Sequence, residues 1–174
     1  MAFLRLKGGS YKVYKNNSVI CDTTTSTASL VDAVFDGSPS YWQQSITDLT
    51  SVVFELNLHK TFSYSNTFYV DFGSSNWRAK SIIVEVMHST LDTNWVQKGA
   101  ITNNSIGEWM CSISHTPANG TAGNGFNKIR ITFKDFMTGG FRIAQIGLLN
   151  YSSYGARDVF LARDGGVVYG SIYP

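Results

Sequence analysis

The predicted loops of this chain hold aromatic rings beside planar polar side chains. Trp77 is followed directly by Arg78, and Phe126 closes a loop rich in Gly and Asn. A ring can stack on the apolar face of a pyranose, while guanidinium, amide and imidazole groups can hydrogen-bond to its hydroxyls. We therefore predict a binding site for an uncharged polar ligand, with these candidate residues: Tyr41, Trp77, Arg78, His88, His115, Asn119, Asn124 and Phe126.

Several of these candidates also have a purely structural interpretation. Trp77 would then pack at the end of the fold, and His115, Asn119 and Asn124 would only shape their own loop. The other three tryptophans lie at loop ends or in apparent strands, where large rings usually pack in the core. We assign to the core Trp42, Trp95 and Trp109.

Catalytic motifs are not evident. The three histidines occur without a Gly-x-Ser-x-Gly turn or a Cys-His signature, and there is neither zinc-ligand spacing nor a phosphate-binding glycine loop before a helix. We expect no enzymatic activity. A carboxylate pair for glycosidic cleavage is not indicated, although the alternative stays open among the acids Asp32, Asp36, Glu55, Asp71, Glu85, Asp92, Glu108 and Asp135.

Charge and length limit the classes of partner. The chain has 174 residues and a mass of 19.2 kDa, of which 15% are charged, with a net charge of +2. One domain is the default for this length, and so small a charge does not favour nucleic acid or an anionic membrane surface. The segment MAFLRLKGGS has no long apolar run, so neither a signal peptide nor a membrane span is expected. Cys21 and Cys111 lack metal-ligand spacing, and Cys111 is expected to be a buried free thiol.

Alternating apolar residues predict short strands throughout the chain. The pattern is clearest at 127–150, where Ile129, Ile131 and Phe133 alternate with charged residues before a turn at 137–140. The alternation slips by one position near Ala144-Gln145, which predicts a bulge or bend there. Eight or more such strands, with one short helix predicted near 29–36, indicate an all-β antiparallel sandwich over residues 1–150. Residues 151–174 are predicted to form a C-terminal hairpin, for oligomerisation or as a lead-in to a further domain.

Three segments, in order, resemble discoidin-like domains, the galactose-binding-like sandwiches also seen as coagulation-factor C domains and carbohydrate-binding modules. The segments are AVFDGSPSYW at 33–42, NWRAKSIIVE at 76–85, and IRITF with FRIAQIGL at 129–148. The resemblance implies a jelly-roll β-sandwich. In sugar-binding members a calcium ion often lies at the Asp-Gly loop; here Asp36 and Ser40 would hold it, but Gln145 replaces the usual acid, so no cofactor is the primary expectation.

The C-terminal segment GGVVYGSI resembles linkers of bacteriophage tail fibres and tailspikes. The two resemblances together imply a non-catalytic module that binds bacterial surface polysaccharide or lipopolysaccharide. It would be made in the host cytoplasm and carried on the phage virion, beside other tail proteins, as a homotrimer. The alternatives are a structural virion domain acting as a joint or oligomerisation unit, and an accessory domain of a glycan-degrading enzyme.

Overall fold

The computed structural model describes residues 9–23, 34–35, 41–152, 155–162 and 166–171. Within them the chain is built from antiparallel β-strands and short turns. The strands are β1 (Ser10–Lys15), β2 (Ser18–Asp22), β3 (Trp42–Gln44), β4 (Val52–Phe62), β5 (Asn66–Asp71), β6 (Ala79–Met87), β7 (Val96–Ile101), β8 (Glu108–Ile113), β9 (Phe126–Phe136), β10 (Phe141–Ile143), β11 (Gln145–Ser152), β12 (Gly155–Ala162) and β13 (Gly166–Ser171).

Two large sheets form the sandwich. The first has six strands in the order β2-β1-β4-β9-β6-β7, and the second has five in the order β13-β12-β11-β5-β8. A two-stranded ribbon of β3 and β10 lies beside them. All of these pairings are antiparallel, so the predicted all-β antiparallel sandwich is confirmed.

The core follows from period-two alternation in the strands. In β9, Ile131 and Phe133 are fully buried, whereas Arg130 and Thr132 face outward. Aromatic contacts extend this core, since the ring centroids of Phe133 and Phe141 are 5.5 Å apart. The predicted core residue Trp42 is buried, with only 5% of its surface exposed.

The predicted bend at Ala144-Gln145 is confirmed, and its cause is a change of partner strand. The turn at 137–140 reverses the chain, but β10 then pairs with β3, as in the pair Ile143–Trp42, rather than with β9. After Ala144, whose N–H donates to the carbonyl oxygen of Asp71 at 2.8 Å, β11 pairs with β5. The strand therefore joins a new sheet, and its buried face changes phase there.

The predicted C-terminal hairpin is present as β12 and β13, which extend the five-stranded sheet beyond β11. The division of the chain at residue 150 stays a prediction. The helix predicted near 29–36 and the conditional calcium ligands Asp36 and Ser40 lie largely or wholly outside the described residues. No helix among the described residues is long and apolar enough to cross a membrane.

Cys21 and Cys111 are free thiols. Cys111 is only partly buried, not fully as predicted, and it packs so closely on β7 that a Cβ at Gly99 would lie 2.8 Å from its Sγ. Burial raises the pKa of the Cys111 thiol to about 12. The neutral thiol therefore behaves as a small apolar side chain at neutral pH.

Candidate functional site

One end of the sandwich gathers two of the predicted aromatic residues. Tyr41 immediately precedes β3, and Trp77 ends a 3-10 helix (Ser75–Trp77) that leads into β6. Their ring centroids are 6.0 Å apart with an interplanar angle of 33°. Tyr41 is 44% exposed, and Trp77 is half-buried. The pair therefore offers aromatic surface at a loop end, where ligands of β-sandwiches can reach it.

Arg142 joins this pair from β10. Its guanidinium carbon lies 4.0 Å from the centroid of the Trp77 ring and 4.4 Å from that of the Tyr41 ring. The β3–β10 pairing produces this contact, because Arg142 lies opposite Gln43 in the register and Tyr41, two residues before Gln43, is its diagonal neighbour on the same face. We call Tyr41, Trp77 and Arg142 the aromatic–arginine cluster. It combines ring surface with planar N–H donors, the groups that bind a sugar ring and its hydroxyls.

The backbone before Trp77 forms a turn that leads into the 3-10 helix. Gly73 adopts a φ of +79°, and its N–H donates to Asp71 Oδ1 at 2.7 Å. This left-handed turn favours glycine, and a Cβ on Gly73 would be in ordinary van der Waals contact with the six-membered ring of Trp77, at 3.7 Å. Ser74 then caps the 3-10 helix, since its Oγ accepts from the N–H of Asn76 at 3.2 Å.

Arg78 follows Trp77 directly in the sequence, but its side chain has a structural role. Its Nε donates to the carbonyl oxygen of Asn104 at 2.7 Å and its Nη1 to that of Ser75 at 2.5 Å. Asn104 is itself buried, and its Nδ2 donates to the carbonyl oxygen of Ile106 at 3.0 Å. Arg78 therefore ties the 3-10 helix to the loop before β8.

The remaining predicted residues lie at the opposite end of the sandwich. Trp77 precedes β6 and His88 follows it, so the nine residues of this strand separate the two ends by roughly 30 Å. Asn119 is held at the His88 end, where its N–H donates to the carbonyl oxygen of Leu91 at 3.0 Å. Asn124 Oδ1 accepts from the N–H of Thr121 at 2.7 Å and thereby shapes its own loop. One site containing all eight candidates is therefore excluded by the fold.

His115 is not an exposed ligand-binding group, in contrast to its prediction as a site candidate. It is 5% exposed, and its Nε2 lies 2.6 Å from Asp92 Oδ2. Burial alone would raise the pKa of Asp92, but hydrogen bonds from the N–H groups of His88 and Ala118 and from His115 lower this pKa below its ordinary value. His115 Nδ1 is buried without a partner in the described part of the chain. This pair joins two loops.

Two aromatic assignments were wrong. Phe126 is fully buried and stacks on Phe62, with ring centroids 6.1 Å apart, so it is a core residue and offers no exposed platform. Trp95 is not in the core: it is half-buried, and the guanidinium of Arg130 lies 4.7 Å from its centroid on the outer face of the six-stranded sheet. Trp109 is partly buried and packs against the core.

A concavity lies on this outer face, away from the aromatic–arginine cluster. It is an open cleft of about 540 Å³, lined by residues that include Tyr14, Glu55, Glu85 and Arg130. Arg130 donates from Nε and Nη2 to the two oxygens of Glu85, at 2.9 and 2.8 Å, and Glu85 thereby raises the pKa of Arg130. Among the described residues that line the cleft, Tyr14 is the only aromatic one, and Arg130 is already neutralised. The aromatic–arginine cluster is therefore the better candidate for a sugar site.

Sequence reasoning missed Arg142. It lies in the segment FRIAQIGL, where the pattern predicts only a strand, and the pairing of β10 with β3 is not visible in the sequence. No local signal in the sequence marks it, because its approach to Tyr41 and Trp77 depends on the pairing of β3 with β10. Among the described residues no group of three or more His, Cys, Asp or Glu side chains could hold a metal ion.

Comparison with protein-family models and with curated proteins gives no match to this chain. Solved structures do share its fold. The Ruminococcus gnavus GH29 fucosidase E1_10125 in complex with fucose has a TM-score of 0.54 at 16% identity, over 84% of this chain and 26% of that one. The Clostridium perfringens module CpGH89CBM32-5 in complex with GalNAc-β-1,3-galactose has a TM-score of 0.53 at 10% identity, over 81% of this chain and 94% of that one.

A third structure is chitosan-binding module 2 of the chitosanase/glucanase from Paenibacillus sp. IK-5, in complex with chitotriose. Its TM-score is 0.50 at 12% identity, over 82% of this chain and 96% of that one. At these identities the likeness concerns the backbone and its topology. The chain thus has the galactose-binding-like β-sandwich fold of these carbohydrate-binding modules.

Proposed function

We propose that this protein is a non-catalytic carbohydrate-binding module that recognises a bacterial surface glycan through the aromatic–arginine cluster. The observation that carries the proposal is the half-exposed ring of Tyr41, held beside Trp77 and Arg142 at a loop end of the sandwich. Support comes from solved structures of this fold that contain GalNAc-β-1,3-galactose and chitotriose.

The aromatic rings and the arginine have different parts in this proposal. Arg142 covers one side of both rings, so a pyranose would meet the exposed part of Tyr41 and the N–H groups of Arg142. Trp77, at the end of the 3-10 helix, would keep these two groups in place. Stacking on a ring, together with hydrogen bonds to planar donors, accounts for binding without a metal or a catalytic group.

The carrier of the module is proposed to be a bacteriophage tail fibre or tailspike. Support comes from the tail segment GGVVYGSI and from a surface of low charge. Other tail proteins and two further copies of the chain would be its partners, and the virion would be its location. Weak single sites gain avidity when a symmetric fibre presents several of them to one cell surface.

A second candidate function is supported by the fucosidase comparison. The chain resembles about a quarter of that enzyme, with 26% of its chain covered. A sandwich of this kind can therefore be one part of a longer polypeptide, and an accessory domain of a glycan-degrading enzyme would use the same site. The two candidates differ in the carrier and agree on the binding surface.

Binding to a glycan and lipopolysaccharide array tests the proposal. We expect saturable binding by the wild-type protein and a loss of about five- to tenfold in Tyr41→Ala, because one stacked ring contributes on the order of 1–1.5 kcal/mol. Tyr41 is preferred to Trp77 for this test because its greater exposure makes misfolding of the variant less of a risk.

Asn119→Ala is the matched control at the opposite end of the sandwich, where Asn119 is exposed. Its binding should equal that of the wild type. Loss of binding in Asn119→Ala but not in Tyr41→Ala would move the site to that end. A blank array with folded protein would contradict the proposal and favour a structural joint in the virion.

A further inference from the structure

We infer that the aromatic–arginine cluster selects glycans that bear an anionic group, and that Arg142 is the residue that binds the anion. This inference rests on the proposed function, because it names the class of glycan recognised at the same site. It comes from the environment of Arg142 compared with the environments of the other described arginines.

The structure describes the side chains of three arginines, and two of them are fully engaged. Arg130 makes a bidentate pair with Glu85, with N–O distances of 2.9 and 2.8 Å. Arg78 donates to two backbone carbonyl oxygens, at 2.7 and 2.5 Å. The Arg142 side chain makes no hydrogen bond and has no carboxylate within 4.0 Å in the described part of the chain. Its donors therefore have capacity for an acceptor from outside the protein.

The contacts that Arg142 does make position its charge without neutralising it. Two ring centroids lie 4.0 and 4.4 Å from its guanidinium carbon, and both contacts are made with ring faces rather than through hydrogen bonds. Cation–π contacts of this kind hold the guanidinium in place and restrict its rotamers. A positioned guanidinium loses less conformational entropy when a ligand binds than a free surface arginine would.

The uncompensated charge determines the ligand class. Arg142 is half-buried against the two rings, so part of its hydration is replaced by aromatic surface. A planar guanidinium matches a carboxylate or a phosphate with two parallel N–H···O bonds, which are stronger than bonds to a neutral hydroxyl. The hydroxyls of a neutral sugar would accept weaker hydrogen bonds from the same donors. The cluster therefore suits a uronic-acid or phosphorylated sugar whose ring lies against Tyr41.

The experiment uses an array with paired probes. Uronic-acid oligosaccharides are printed beside their carboxyl-reduced forms, and phosphorylated mannose oligosaccharides beside their dephosphorylated forms. We expect the wild-type protein to bind at least one anionic probe about tenfold or more tightly than its neutral counterpart. The two pairs of probes distinguish a carboxylate from a phosphate as the source of the charge.

Three variants assign the effect to Arg142. Arg142→Gln should abolish the preference for the anionic probe, and Arg142→Lys should keep only part of it, because lysine retains the charge but not the planar fork. Lys134→Gln removes the same unit of charge from an exposed residue outside the cluster and should leave the preference unchanged. Thermal melts establish that each variant is folded.

The wild-type protein provides a second measurement that does not depend on the variants. Binding of the anionic probe should weaken as the NaCl concentration is raised from about 50 to about 500 mM, whereas binding of the neutral probe should change little. Equal binding of both members of every pair would overturn the inference while leaving the proposed function intact. Absence of binding to any glycan by folded protein would overturn both.

Discussion

Asp92 organises the end of the sandwich opposite the aromatic–arginine cluster. Its carboxylate accepts hydrogen bonds from the N–H of His88 at 2.8 Å, from the N–H of Ala118 at 2.7 Å and from His115 Nε2 at 2.6 Å. These donors come from two loops that are distant in sequence and are brought together by the fold. A single buried residue thus joins the loop after β6 to the loop before β9.

We predict that Asp92→Ala lowers the free energy of unfolding by about 2 kcal/mol at pH 7, because buried N–H donors would lose their acceptor. Urea denaturation followed by tryptophan fluorescence measures this change. Glu108→Ala is the control, since Glu108 is exposed on β8. Equal stabilities of the two variants would show that the carboxylate is not a structural acceptor.

The same residue predicts an acid dependence. The pKa of Asp92 is lower in the folded protein than its ordinary value, so its stabilisation is complete above the unfolded value of about 3.9 and is lost as the pH falls through the folded value. The stability difference between wild type and Asp92→Ala should therefore shrink below about pH 4. A difference that is constant from about pH 7 to about pH 3 would contradict this linkage.

At the level of elements, the start of β9 is positioned by a backbone contact. Gly125 has a φ of +56°, and a Cβ at this position would lie 1.9 Å from the carbonyl oxygen of Phe62. Phe62 ends β4, and it pairs with Phe126 in the register of β4 and β9. The long loop before β9 therefore closes directly onto the end of a core strand.

Gly125→Ala is expected to lower the free energy of unfolding by about 3 kcal/mol, because the methyl group would displace backbone and the positive φ disfavours alanine. Thermal denaturation measures the loss. Gly123→Ala, two positions earlier, is the matched control, since its nearest neighbouring atom is 3.9 Å away. Unchanged melting of Gly125→Ala would mean that the loop closes on β4 differently.

The molecule as a whole presents its candidate site at one end of the sandwich, so a single chain offers one shallow surface to a glycan. Fibre-like multivalency then requires several chains, and we predict a homotrimer. Sedimentation equilibrium should give a mass three times that of the 19.2 kDa chain. A chain ending at residue 150 is the control, because it lacks the β12–β13 hairpin proposed for assembly.

A mass of one chain, independent of concentration up to about 100 µM, would reject the trimer. A trimer that persists in the shortened chain would instead place the contact on the sandwich itself. Either mass leaves the glycan test intact, because the aromatic–arginine cluster lies within one chain. If the mass is that of one chain, avidity would depend on a carrier protein that presents several copies.

Local patterns in the sequence were sufficient to predict the fold class and much of the core. Alternation of apolar and polar residues has a period of two, which a strand with one buried face requires, so β4, β6 and β9 were visible as patterns. The phase change at Ala144-Gln145 also predicted a real bend. Each of these features depends on a few neighbouring residues and on which side of a strand they face.

The grouping of residues into a site, in contrast, became visible only in three dimensions. Tyr41, Trp77 and Arg142 meet because β3 pairs with β10 and the 3-10 helix lies beside them, and no local pattern encodes that pairing. His115 and Phe126 looked like exposed loop residues, yet contacts from distant segments bury both. The burial of a residue and its distance from other residues depend on contacts with many segments of the chain. They therefore follow from sheet order and packing rather than from spacing along the sequence.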